Sequence, residues 1–345
     1  MIKVLVVDDS AIVRRMLTEE LSKHDDIQVV GQAVDPYVAR DKIIQLKPDV
    51  LTLDIEMPRM DGLTFLERLM KHHPIPVVIV SSLAPENSET ALRALALGAV
   101  EVVSKPGSQY SVPDVARDLV SAIRAASVAK LRPPQISLAN AHAQASGAQN
   151  FALNTTSKMI AIGASTGGPR AIETVLQAFP PNAPGVLIVQ HMPESFTGEF
   201  ARRLDKSCPM TVREARDGDQ VVQGLALIAP GNRHMYVKKN GATYQVRVKD
   251  GPPVQYQRPS VDVLFQSVAR EAQSNAVGVL LTGMGADGAR GLLQMRQSGA
   301  HTIAEHESTT IVYGMPAEAA KLGAVVEQLP LPDVAQAIMR ALATT

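Results

Sequence analysis

The chain alternates short, unbroken apolar runs with stretches whose apolar residues recur every three or four positions. In the first 124 residues the runs are "KVLVV", "IQVVGQA", "VLTLD", "PVVIVSS" and "VEVVSKP". They are rich in β-branched residues and predict strands buried on both faces. Between them lie stretches such as Val13, Met16, Leu17 and Leu21 at helical spacing. Five strands alternating with helices predict a doubly wound parallel sheet.

From Lys158 the same rhythm resumes with "KMIAIGAS", "GVLIVQH", "LALIAP", "AVGVLLTG" and "HTIAEH". The stretch "HMYVKKNGATYQVRV" places Asn240-Gly241 between two alternating runs, a β-hairpin signal. The second half is therefore expected to be α/β with a hairpin excursion. Between the halves, "LRPPQISLANAHAQASGAQNFALNTTS" is rich in Ala, Gln, Asn and Ser, with Pro133 and Pro134 and no acidic residue. It reads as a tether, with a helical start continuing from Ala125. The expected division is 1–124, a linker over 125–157, and 158–345. No repeat of solenoid length appears.

Length supports this picture, since 345 residues suffice for two separate cores. Charge narrows the function: 34 basic and 34 acidic residues balance, so nothing global points to nucleic acid or an anionic membrane. The second half alone holds 18 basic and 16 acidic residues and no helix-turn-helix signal, which disfavours nucleic-acid output. Tryptophan is absent, which argues against base-stacking surfaces. The single cysteine, Cys208, permits no internal disulfide and reads as a small apolar filler. "MIKVLVVDDS" is too short and too soon acidic for a signal peptide. No apolar run approaches the roughly 18 residues of a membrane span. The expectation is a cytoplasmic protein without membrane insertion.

In open parallel sheets, chemistry gathers beyond the carboxyl ends of the strands. In the first half those ends carry Asp8 and Asp9, Asp54, Ser81 and Lys105. Three crowded carboxylates suit a hard divalent cation such as Mg²⁺. A nearby lysine and hydroxyl would stabilise a phosphoryl group arriving on one carboxylate. Any one of these residues alone reads as a helix cap or a solvated side chain; five at the correct strand ends do not.

The pieces "VVDDS", "LDIEMPRMDG", "VIVSS" and "VSKP" resemble the response-regulator receiver domain over residues 1–124. The resemblance implies a flavodoxin-like (βα)5 fold with Asp54 as phospho-acceptor. It implies Mg²⁺ held by Asp9 and Asp54 with the backbone carbonyl of Glu56, assisted by Asp8. Ser81 is the implied hydroxyl switch, Lys105 the phosphate partner, and a cis-proline is implied after Lys105. Many receivers carry an aromatic residue where this chain has Val102, so the usual aromatic-rotamer switch is not expected.

In the second half, "GASTGGP" (163–169) follows the run "KMIAI". Such a turn either cradles a phosphate on the next helix N-terminus or presents Ser165 as a nucleophile on a tight strand-to-helix turn. A nucleotide cradle at this turn lacks support, because "GASTGGP" holds no Walker lysine and no G-x-G-x-x-G. A nucleophile needs a base and an orienting carboxylate. His191 closes the strand "GVLIVQ", and Asp287 lies in the glycine-rich "LLTGMGADGARG". The α/β-hydrolase chain order would instead make His301 or His306 the base. His234, in "PGNRHMY", is a further candidate, for substrate lining or simple solvation.

"IGASTGGP", "VQHMP", "APGNRHM", "RPSVDVLFQSVA" and "LLTGMGADGARGL" resemble, in order, the catalytic domain of the CheB-type chemotaxis methylesterases over residues 158–345. The resemblance implies a doubly wound α/β serine-hydrolase domain with Ser165 as nucleophile, His191 as base and Asp287 as its orienter. The Met284 N–H is the implied oxyanion donor, with Thr166 lining the site. Ala286 departs from the asparagine common in some relatives. The implied activity is phosphorylation-activated hydrolysis of glutamate methyl esters on chemoreceptors, with deamidation of specific glutamines. A histidine kinase is the implied phosphodonor, and hydrolysis itself is expected to need no cofactor. The alternative is a non-enzymatic response regulator whose second domain only binds a ligand or protein.

Overall fold

A computed structural model describes residues 1–57, 59–82, 85–105, 112–131 and 158–344. The first unit runs β1 (Ile2–Val7), α1 (Ala11–Leu21), β2 (Ile27–Ala33), α2 (Pro36–Leu46) and β3 (Val50–Leu53). It continues α3 (Gly62–His72), β4 (Val77–Ser81), α4 (Pro85–Ala96), β5 (Glu101–Ser104) and α5 (Val112–Ser127). Its strands form one parallel sheet in the order β2-β1-β3-β4-β5. β3 and β4 are buried at every position, because helices cover both faces. Helix starts follow local chemistry: the Asp35 side chain accepts from the N–H of Tyr37 and Val38, and Pro36 fits the first turn of α2. The cis-proline expected after Lys105 falls at residue 106, outside the described residues. α5 carries the helix through Ala125 to Ser127, while 132–157 of the tether also lie outside the described residues.

The second unit begins β6 (Met159–Ala164), α6 (Gly168–Gln177), β7 (Gly185–Gln190), α7 (Glu194–Ser207), β8 (Thr211–Glu214) and β9 (Leu225–Ile228). The hairpin β10 (His234–Asn240) and β11 (Thr243–Lys249) follows, then α8 (Val261–Glu271), β12 (Ala276–Leu280) and α9 (Ala289–Gln297). β13 (His301–Glu305), α10 (Met315–Lys321), β14 (Glu327–Leu329) and α11 (Leu331–Thr344) complete it. Seven strands form a parallel sheet in the order β14-β13-β12-β6-β7-β9-β8. The two outermost strands went unread in the sequence: "TVRE" and "EQL" are short, partly exposed and polar, so no apolar run marks them. The hairpin is present, but its turn is displaced by one residue. Asn240 pairs with Thr243, so the loop is Gly241-Ala242, with Gly241 at φ +60° in the first central position.

The two units are packed against each other. Leu92 of α4 joins the core beneath α6 and α7, and Phe196 of α7 is buried in the core of the first unit. Ser88 Oγ donates to Ser195 O (3.1 Å), and Arg203 Nη1 donates to Leu92 O (2.8 Å). Lys130 reaches across twice, its N–H to Ile311 O (2.9 Å) and its Nζ to Glu307 (2.7 Å).

Candidate active site

In the second sheet β6 lies between β12 and β7, at the point where the strand order reverses and parallel sheets form their ligand crevices. Ala164 pairs with Gln190, so the next residues, Ser165 and His191, leave neighbouring strands side by side. Backbone bonds fix both: His191 N donates to Ala164 O (3.1 Å), and Ser165 N donates to Thr282 O (3.0 Å). The loop after β12 runs against the serine closely enough that a Cβ on Gly283 would stand 2.7 Å from Ser165 Cβ. Glycine is required there for close approach. Gly167, at φ +78°, turns the chain from Ser165 into α6.

His191 Nε2 lies 2.8 Å from Asp287 Oδ2. A carboxylate only accepts, so this nitrogen carries the proton. The other ring nitrogen, Nδ1, is buried and makes no hydrogen bond among the described residues. Asp287 accepts three further bonds: from Ser260 Oγ (2.8 Å), Val261 N (2.7 Å) and Asp262 N (3.0 Å). Burial pushes its carboxyl up, but the bonds from His191, Asp262 and Ser260 prevail and hold it below the usual range.

Among the described residues the Met284 N–H has no hydrogen-bond partner, nor has the Thr166 N–H. Both belong to segments that meet Ser165. The sequence reading assigned Thr166 a lining place and overlooked its N–H. The nucleophile-elbow rule, which uses the amide after the nucleophile, was the signal available.

The competing histidines have other partners. His301 opens β13, at the opposite edge of the sheet, and pairs with Glu327 (2.8 Å). His306 follows β13 at the carboxyl edge, but it is exposed and its Nδ1 is engaged with Ser308 (2.9 Å). His234 is neither solvated nor free to line substrate; it is 7% exposed, with both ring nitrogens engaged. Cys208 is half-buried beside the core, where burial raises its thiol.

In the first unit, Asp8, Asp9 and Asp54 each bring a carboxylate oxygen within 4.8 Å of the others. Such a set of hard oxygens fits a divalent cation like Mg²⁺. Lys105 Nζ bridges Asp8 Oδ2 (2.9 Å) and Asp54 Oδ2 (2.6 Å). Burial raises Asp54 to about 6, partly countered by Lys105. Glu56 donates its N–H to Asp54 Oδ1 (3.2 Å). Ser81 is buried at the end of β4, and its carbonyl accepts the Lys105 N–H (2.8 Å). Val102 lies in the core.

The two centres are linked by the packing between units. Ile311, whose backbone binds Lys130, packs against Gly167, and Met192, next to His191, is half-buried and packs against the cores of both units. Glu101, at the start of β5, lies near the Thr166 side chain, which favours its charged form. Burial lifts its carboxyl to about 7, with Thr166 pulling the other way and Asp118 adding to the rise.

A receiver-like sheet with a carboxylate–lysine cluster, packed on an α/β domain with a Ser-His-Asp constellation, defines a class: response regulators with a hydrolase output domain. Comparison with known proteins agrees. The profile of the response regulator receiver domain matches residues 4–116, and that of the CheB methylesterase matches 160–338. The chain belongs to the CheB methylesterase family. It is 57% identical over 339 residues to a protein-glutamate methylesterase/protein-glutamine glutaminase of Syntrophus aciditrophicus, covering 98% of each chain. A Yersinia pestis protein of the same designation is 52% identical, covering 98% of this chain and 96% of that one. The crystal structure of the Thermotoga maritima CheB methylesterase catalytic domain matches with a TM-score of 0.52 at 34% identity, covering 55% of this chain and 98% of that one.

Proposed function

We propose that the chain is a phosphorylation-regulated protein-glutamate methylesterase that also deamidates specific glutamines, with chemoreceptors as its substrates. The observation that carries the reading is the 2.8 Å bond from His191 Nε2 to Asp287, which leaves Nδ1 to act on Ser165. Ser165 Oγ attacks the ester carbonyl while His191 Nδ1 takes its proton. The oxyanion is received by the N–H groups of Met284 and Thr166. Collapse expels methanol, or ammonia from a glutamine, and the leaving group takes the proton back from Nδ1. Water, deprotonated by Nδ1, then attacks the acyl-enzyme; this frees the glutamate carboxylate and returns the proton to Ser165 Oγ. Asp287 holds the ring and stabilises the imidazolium. No cofactor takes part in these steps.

Residues 1–124 receive the signal, 125–157 tether, and 158–345 catalyse; the two profile matches, 4–116 and 160–338, support this division. Asp54 accepts the phosphoryl group from a chemotaxis histidine kinase, and Lys105 and Ser81 answer the new charge. Asp8, Asp9, Asp54 and the Glu56 carbonyl would hold Mg²⁺, which neutralises negative charge during the transfer. The contacts of α4, Lys130 and Glu101 with α7, Ile311 and Thr166 support a receiver that restricts the site until Asp54 is modified. The protein acts from the cytoplasm on the receptors' signalling helices; among the described residues no helix is long and apolar enough to cross a membrane.

The test is methanol release from methylated receptor membranes, with and without acetyl phosphate and Mg²⁺. Release that rises with phosphodonor supports the proposal. Binding to receptors without release would leave the second domain a ligand-binding module.

A further inference from the structure

We propose that Ser260 and His234 are positioning residues for the ester hydrolysis, bracing Asp287 and through it His191; this rests on the hydrolase reading above. Ser260 is fully buried at the N-cap of α8. Its hydroxyl lies 2.8 Å from Asp287 Oδ1 but 3.5 Å from the Val263 N–H that an N-cap serves. The stronger bond goes to the carboxylate rather than to the helix. With the Val261 and Asp262 N–H groups, Ser260 gives Asp287 three donors from one helix end, aligned with the helix dipole.

That helix end is itself clamped. Ser260 N donates to His234 Nδ1 (3.2 Å), and His234 Nε2 donates to Pro252 O (3.0 Å). The carbonyl can only accept, so His234 is fixed in its Nε2–H tautomer. A reciprocal bond completes the brace: Asp262 Oδ1 accepts the Gly291 N–H (2.7 Å) of α9, the helix that follows Asp287. The two helices are so close that a Cβ on Gly291 would stand 2.6 Å from Phe265 Cβ. The chain of contacts therefore runs from His234 through Ser260 and Asp287 to His191, and it fixes the ring that must present Nδ1 to Ser165.

The experiment uses full-length protein with Ser260→Ala, Ser260→Thr and His234→Ala. Methanol-release kinetics, thermal midpoints and ¹⁵N NMR of the histidine rings are recorded for each. Ser260→Ala is expected to lower kcat on the order of 10- to 100-fold, the worth of one bond to a charged group. KM should stay unchanged, and the His191 ring should average between tautomers. Ser260→Thr keeps a hydroxyl and should restore kcat and the single Nε2–H tautomer of His191. His234→Ala should change kcat and the His191 ring in the same direction. A merely structural cap would lower the thermal midpoint and leave kcat and the His191 signals of Ser260→Ala at wild-type values, and that result overturns the proposal. An Nδ1–H tautomer at His234 overturns its part. The ring signals decide the positioning claim even if wild type releases no methanol, an outcome that would refute the hydrolase reading instead.

Discussion

Replacing Glu101 by glutamine tests the proposal that the docked receiver restricts the catalytic site. In the docked arrangement the Glu101 carboxyl is raised from 4.5 to about 7, first because it is buried, and further because Asp118 lies near. Whole, that displacement is worth about 3 kcal/mol; the Asp118 part exists in the undocked receiver as well and partial solvent access screens the rest, so we assign about 1–2 kcal/mol of it to docking once both states are ionised. The sign is fixed by the proton balance: the docked state binds the proton more tightly. Docking is therefore strongest below pH 4.5 and weakens as pH rises to about 7, beyond which the penalty is constant. Glutamine keeps a polar side chain of the same shape beside Thr166 without the charge. At pH 7.5 the unphosphorylated Glu101→Gln protein should release methanol about 5–30-fold more slowly than wild type, the equilibrium equivalent of that penalty. Taking the ratio of the two basal rates at each pH cancels the pH dependence of the chemistry. The ratio of wild type to variant should approach one near pH 4.5, climb through pH 5–7 and level off. A variant whose basal rate equals or exceeds wild type at pH 7.5, or a ratio flat in pH, would refute the reasoning.

Further outcomes follow from the site. His191→Ala should abolish turnover about as fully as loss of the nucleophile, and the double variant with Ser165→Ala should be hardly worse, because the pair acts as one unit. His301→Ala and His306→Ala should keep methanol release near wild type; collapse of either while His191→Ala stays active would reassign the base. Gly283→Ala drives a methyl group onto Ser165 Cβ and should cut kcat on the order of 100-fold, the usual cost of a displaced reacting group. A kcat within threefold of wild type would show that the loop yields. Asp54→Asn should take up no phosphate from acetyl phosphate with Mg²⁺ yet keep basal activity; stoichiometric uptake, read by phosphate-affinity gel, would place the acceptor elsewhere.

Much of this architecture was legible in the residues, for identifiable reasons. Runs such as "VVIVS" and "GVLIVQ" lack polar alternation because helices cover both faces of their strands, so they announce parallel strands without any fold template. Asp8, Asp54, Ser165 and His191 could be grouped because each directly follows a run, and parallel strands bring their ends to one edge. What stayed hidden depends on contacts between segments far apart in the chain. Nothing local marks "EQL" as a strand, since its pairing with β13 supplies the order. "RPSVDVLF" was noticed as a motif, but its three donors to Asp287 appear only when α8 and the β12 loop meet. His234 looked like any polar residue after a turn until the fold buried it against Ser260. The Glu101–Thr166 contact joins the two units and has no signature in either.

The central claim is that Ser165 is the nucleophile of a methyl-ester hydrolase. Methanol release from methylated receptor membranes by wild type and by Ser165→Ala, both shown folded by circular dichroism, tests it most directly. The account predicts a loss on the order of 10⁶-fold in turnover, leaving only what the oxyanion donors and binding supply. Near-normal methanol release by the folded Ser165→Ala protein would contradict it.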